Sequence, residues 1–215
     1  MMTTRFDLQL IELNNNLTLM GALCENSISM AVKAFLEGDK KYAKKAIEVD
    51  KEIDEKEKEI ESQCMRLLLQ QHPVARDLRL ISSALKMITD IERIGDQASD
   101  IAELTKFTSA ATMPNISHIK KMAEEAVKMV TESIDSFVKH DLELANFVIS
   151  YDDVVDTLFN KVKDDIIELL KQDEYNAEAV LDVFMIAKYL ERIADHATNI
   201  AEWVVFSITG KHEEE

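Results

Sequence analysis

The sequence predicts an all-α protein built from two tandem antiparallel three-helix bundles, six helices related by a pseudo-two-fold axis. Three observations carry this. The chain has only four Gly and two Pro in 215 residues and is rich in Leu, Ile, Ala, Glu and Lys, so its elements are long and its turns few. Apolar residues recur at spacings of three and four through most of it. Residues 92–103, ERIGDQASDIAE, return 99 positions later at 191–202 as ERIADHATNIAE, one copy in each half.

The first helix is expected over about 5–36, where Phe6, Leu10, Leu13, Leu17, Met20 and Cys24 begin an apolar stripe. Gly38 and Asp39 end it and start the next, as a C′ glycine and an N-cap. The second helix, about 40–71, carries an alternating charge run at 51–58 that reads mostly as a solvated face. His72-Pro73 closes it, because a residue before proline leaves the α region. The third helix, about 74–107, contains the first copy of the repeated segment. Residues 108–117, small and polar around the second proline, divide the chain into halves 1–110 and 111–215. The second half repeats the plan with helices at about 117–139, 142–172 and 177–208, and Lys139-His140-Asp141 takes the place of Glu37-Gly38-Asp39. Short connections make neighbouring helices antiparallel.

A formal charge of −16 argues against direct nucleic-acid binding, which needs a basic face. No apolar run approaches the roughly 20 residues of a membrane span. The start, MMTTRFD, lacks the apolar region of a signal peptide. Cys24 and Cys64 fall at apolar helix positions and read as buried free thiols, which points to the cytoplasm.

The chemistry concentrates in carboxylate pairs four residues apart: Asp50/Asp54, Glu92/Asp96, Asp152/Asp156 and Glu191/Asp195. Residues at this spacing share a helix face. Each pair continues an apolar stripe, where ionised carboxylates are costly unless paired or metal-bound. Asp50 and Asp54 lie 23 and 19 residues before Pro73, and Glu92 and Asp96 lie 19 and 23 after it. At about 1.5 Å per residue, a closed hairpin brings the two pairs level. The second half repeats the coincidence about a turn near 174. Three readings of four converging carboxylates stay open. They face solvent and are neutralised by Arg93, Arg192 and lysines; they are protonated by mutual repulsion; or they hold a hard cation such as iron, manganese, magnesium or calcium. No Cys or His is placed for a tetrahedral zinc site. His196 turns about 100° away from Asp195 and reads as a surface residue or one that supports the carboxylates from behind, His72 as a turn residue, and Trp203 as a packing or interface aromatic.

The two ERI(G/A)D…IAE copies, Arg5-Phe6-Asp7, Gly38-Asp39, Asp50…Asp54 and HPVARDLR at 72–79 together resemble the signature of the PhoU family of phosphate-transport regulators. The resemblance covers essentially the whole chain. It implies tandem three-helix bundles, metal clusters on their (Glu/Asp)-x-x-x-Asp motifs, and no enzymatic activity. It also implies negative regulation of phosphate uptake and of the phosphate-starvation response. The implied partners are the ATPase of the phosphate ABC transporter and a phosphate-sensing histidine kinase. The motif residues carried over are Asp50, Asp54, Glu92, Asp96, Asp152, Asp156, Glu191 and Asp195. Asn199 matches the usual asparagine of the third-helix motif, and Asp100 departs from it by adding a charge. A homodimer is compatible with the sequence. The competing reading is a carboxylate-bridged di-iron oxidoreductase of ferritin type, which uses Glu-x-x-His on two helices; this chain contains no Glu-x-x-His. A third is a purely structural module with solvated acidic stripes.

Overall fold

The computed structural model describes residues 5–70, 74–110, 117–172 and 174–211. They form six helices: α1 (Arg5–Glu37), α2 (Lys40–Gln70), α3 (Ala75–Leu104), α4 (Ser117–Lys139), α5 (Leu142–Leu170) and α6 (Ala177–Thr209). The expected stop at His72-Pro73 lies outside the described residues, as do residues 111–116 of the expected division between the halves. The caps follow the chemistry read from the sequence. Asp39 accepts from Lys41 N–H at 2.9 Å, Asp141 from Leu144 N–H at 3.0 Å, and Asn176 from Glu178 N–H at 2.9 Å. One end differs. α3 stops at Leu104 instead of about 107, because the chain tightens there: Lys106 and Phe107 bond back to Glu103 and Leu104, and the Thr105 hydroxyl to Ala102 O.

α1–α3 close one bundle and α4–α6 the other. The bundles dock through α1 on α4 and α3 on α6, leaving α2 and α5 outermost. Both docking pairs are antiparallel. Arg79 lies beside Gly210 and Thr108 beside Ala179, while Glu25 meets Thr131 at 2.8 Å. This is the pseudo-two-fold relation expected of the duplication. The core is continuous across the join and includes Leu17, Met20, Ile28, Phe35, Met87 and Phe137, all fully buried.

Two expectations need correction. α1 does contain an 18-residue stretch apolar enough by composition to cross a membrane, but half of that stretch is buried in the protein. Its apolarity serves the core, which α1 meets from α2, α3 and α4 together. The buried faces of α2 and α5 keep most of the expected apolar stripes, Ala43, Ala46 and Cys64 in one and Ala145, Val148 and Ile166 in the other. They extend further to one side than expected, through Val49, Ile53 and Ile60 and through Val155, Leu158 and Val162, whereas Leu170, expected on the stripe, is exposed. The acidic pairs therefore flank the buried face at the groove beside the next helix and do not point into the core.

The left-handed turns show where sequence and backbone disagree. Gly38 has φ 68°, as a C′ residue should, but His140 occupies the matching turn with φ 52°. A side chain there costs about 1–2 kcal/mol, against about 0.5–1 for the extra chain entropy of glycine. His140 is exposed over much of its surface and touches Phe137 at a ring distance of 6.3 Å, so only modest packing is lost on removing it. His140→Gly is expected to stabilise the protein by roughly 0.5–1 kcal/mol in urea unfolding. A destabilised variant would show that the ring, not the turn, dominates.

Candidate metal centre

Asp50, Asp54, Glu92 and Asp96 meet in the groove between α2 and α3, and all four are half-buried. Burial raises the Asp50 pKa to about 6, helped by the charges of Asp96 and Asp54 and opposed by a hydrogen bond from Ser99. Glu92 is raised for the same reasons, burial first and then Asp96, with Arg93 opposing. The matching groove between α5 and α6 holds Asp152, Asp156, Glu191 and Asp195. There burial, then Asp195, Asp156 and Glu191, push Asp152 to about 6. Asp195 is raised by burial and Glu191. Both grooves are thus short of positive charge.

What cationic charge they have comes from side chains on their own helices. Arg93 donates to Asp96 at 2.9 Å and lies 3.5 Å from Glu92. Lys188 donates to Glu191 and sits 5.5 Å above the ring of Phe159. The carboxylates are neighbours without forming a ready coordination shell: among the described residues no three Asp, Glu, His or Cys groups converge as metal ligands would. The fit to a cation rests on chemistry and space. Every donor is a carboxylate oxygen, the set a hard cation takes. Asp50 Oδ1 is buried with no hydrogen-bond partner. Gly95 keeps that oxygen's surroundings open, since a Cβ there would lie 3.1 Å from Asp50 Oδ1 and 2.9 Å from Ile53 Cδ1.

Not every expected site residue joins the grooves. Asp100 is exposed at the rim, where burial and Asp96 raise its pKa and Arg192 of the other bundle opposes the rise. Asn199 turns to the other bundle and donates to Asp90 Oδ1 at 3.1 Å. His196 lies 2.9 Å from the same oxygen, so it is an inter-bundle group and not part of the carboxylate cluster. Asp90→Ala leaves both without that partner and is expected to cost about 1–2 kcal/mol in denaturant unfolding. A change under a few tenths would mean that water replaces the contact. Trp203 is an interface aromatic as expected, with Lys86 of α3 at 6.0 Å over its ring.

Sequence reasoning missed Glu57, Lys188 and Asp90. Glu57 lies in the charge run read as solvated, yet it acts electrostatically on Glu92. The shift of 102 that takes Asp50 to Asp152 takes Glu57 to Phe159, so the first groove is the more acidic. Lys188 could have been found as the residue three before Glu191. Asp90 carries no signal, because its partners lie 106 and 109 positions away.

A PhoU domain model matches the chain twice, at residues 17–105 and 119–204. The chain belongs to the PhoU family. A phosphate-specific transport system accessory protein PhoU homologue of Clostridium acetobutylicum is 35% identical over 208 residues, covering 96% of this chain and 95% of the relative. The homologue of Pseudomonas aeruginosa is 33% identical over 96% of this chain and 86% of its own length. The crystal structure of PhoU from Pseudomonas aeruginosa superposes with TM-score 0.90, covering 96% of this chain and all of that one. The phosphate transport system regulatory protein PhoU from Streptococcus pneumoniae superposes at 0.89 with 28% identity, covering 97% and 99% of the two chains. These PhoU-family relatives are named as accessory or regulatory proteins.

Proposed function

We propose that this PhoU-family chain is a non-enzymatic regulator of phosphate-specific transport whose two carboxylate grooves are cation sites. The observation that supports it best is the duplicated groove itself. Each family domain presents two carboxylate pairs at one height, short of compensating charge, beside an outer helix. Asp50, Asp54, Glu92 and Asp96 hold one cation or cluster, with Asp100 at its rim. Asp152, Asp156, Glu191 and Asp195 hold the other, with Asn199 at the corresponding rim position. A hard cation such as iron, manganese or magnesium supplies the positive charge that lets carboxylates of adjacent helices approach. The protein's own part is to fix α2 against α3 and α5 against α6, and so to set the shape of the two outer faces.

Those faces dock partners: the transporter's ATPase and a phosphate-sensing histidine kinase, both reached from the cytoplasm. In that place the chain acts as an adaptor that restrains phosphate uptake and the starvation response under phosphate-replete conditions. Homodimerisation is compatible with this role. The test is complementation in a host lacking its own copy. The wild-type gene is expected to restore repression of phosphatase and uptake in rich phosphate, and a variant with Asp50, Asp54, Asp152 and Asp156 all changed to Asn is expected to fail while remaining folded. Full repression by that variant would remove the cation sites from the mechanism. Failure of the wild type would remove the regulatory role.

A further inference from the structure

Where α3 begins, α6 ends and α4 turns into α5, a cavity of 240 Å³ is lined by Arg76, Arg79, Leu80, His140, Ser207 and Ile208. It lies 20 residues, about 30 Å along α3, from Asp96, and 12 residues, about 18 Å along α6, from Asp195. Among the described residues neither guanidinium has an ion-pair or hydrogen-bond partner, although the chain carries 41 acidic residues. Arg79 Nε is itself buried and unpartnered. Such a donor is costly to leave unmade. The adjacent carboxylates are engaged elsewhere, Asp77 with Val74 N–H and Asp141 with Leu144 N–H.

The duplication supplies an internal control. A shift of 99 takes Arg76, Arg79 and Ser207 to Tyr175, Glu178 and Thr108, and a shift of 102 takes His140 to Gly38. The equivalent positions at the opposite end of the molecule therefore carry no cationic side chain. The bundle architecture does not require the two arginines. Nor does the turn require the histidine, since Gly38 makes the same turn without left-handed strain on a side chain. Strain kept at a non-glycine residue beside a cavity points to a use for that residue.

We infer that this cavity binds a small oxyanion of the phosphate class through Arg76, Arg79 and His140. Guanidinium forks match the spacing of oxyanion oxygens and give paired, charge-assisted hydrogen bonds. Burial and the charge of Arg76 lower the His140 pKa, and in either protonation state its ring keeps an N–H that can donate to an anion. The Ser207 hydroxyl already donates to Val204 O and contributes wall, not a donor. α3 and α5 begin here while α4 and α6 end here, so the helix dipoles largely cancel and the arginines supply the attraction. The overall negative charge opposes an anion only weakly beyond the Debye length of about 8 Å. The cavity is smaller than the roughly 300 Å³ at which drug-sized sites begin, which suits a single ion. This site stands on its own geometry and is independent of the cation grooves and of the regulatory reading.

The test is an amide NMR titration of the full chain with inorganic phosphate, in chelator and at constant ionic strength. Chelation prevents a groove-bound metal from holding the phosphate. Saturable shifts are expected at Arg76–Leu80, Lys139–Asp141 and Ser207–Gly210, with none at Gly38, Ser109 or Glu178. Sulfate is expected to compete and chloride not. Arg76→Gln and Arg79→Gln should each weaken binding about ten-fold or more. His140→Gly, which relieves the turn, should weaken it several-fold in a protein that folds at least as well. Non-saturating shifts, an equal response at the opposite end, wild-type affinity in all three variants, or acetate binding as tightly as phosphate would each overturn the proposal.

Discussion

Titrating Mn²⁺ into the chelated protein is expected to raise its Tm by about 10–20 °C. A ligand at one hundred times its Kd stabilises the state that binds it by about 2.7 kcal/mol per site, and each kcal/mol moves the Tm of a domain this size by about 2–4 °C. The grooves are primed for this gain because their carboxylates are held together against repulsion, with burial and mutual charge raising Asp50 and Asp152. The two sites should fill in order. The first groove has Glu57 and Asp100 where the second has Phe159 and Asn199, so it offers a cation more negative charge, while each groove must displace one internal cation, Arg93 from Asp96 and Lys188 from Glu191. The double variant Asp50→Ala/Asp54→Ala is expected to lose the tighter site and about half the rise, and Asp152→Ala/Asp156→Ala the weaker one. Calorimetry with metal analysis of the same samples reads both quantities. If millimolar Mn²⁺, Mg²⁺ and Fe²⁺ all left the Tm where it was, the grooves would not be cation sites.

The second large effect runs opposite to the usual result of mutating a half-buried charge. In chelator at pH 7.5, Asp50→Asn and Asp152→Asn are each expected to stabilise the protein. Both acids have folded-state pKa values of about 6 against 3.8 unfolded. The folded state therefore binds protons more tightly, and stability falls as pH rises from about 4 through about 6. Above that window the penalty is complete, and an amide avoids it. After discounting for partial exposure, the gain is on the order of 1–2 kcal/mol per site, or about 2–8 °C. The wild type should gain stability on going from pH 7.5 to 5, and the double Asn variant much less. The same substitutions should abolish the response to Mn²⁺ in their own groove. Destabilisation of both variants at pH 7.5 in chelator would mean that these carboxylates are satisfied in the folded protein by groups other than a cation.

Much of the site was legible because its logic is local. Two carboxylates four apart share a helix face whatever the tertiary structure, and equal offsets from a hairpin turn bring two such pairs level. Asp50 and Asp96 do influence each other, as do Asp152 and Asp195. Rotation of each helix about its own axis was not legible to the same degree. The stripes through Ile47 and Leu68 and through Val49 and Ile60 lie on opposite sides of the same central positions, Ala46 and Cys64, and only packing shows that the buried face extends towards Val49 and Ile60. For the same reason Glu57 read as solvent-facing. Phe107 was assigned to a helix that ends at Leu104, where the tightened turn hydrogen bonds outweigh a weak apolar signal.

By itself the sequence determined the six helices, their caps, the duplication and the four carboxylate pairs, since each follows from spacing along one chain or one hairpin, and it carried the family through the resemblance of whole motifs. Only the tertiary structure decided how the bundles dock: Asp90 against His196 and Asn199, Asp100 near Arg192, and the arginines of α3 beside the end of α6. Those contacts join residues about 90 to 130 positions apart. Helical periodicity states which face is apolar, but not which face of a distant helix will cover it. That choice comes from the fit of whole surfaces, and here it separates two similar halves into one with a basic cavity at its edge and one without.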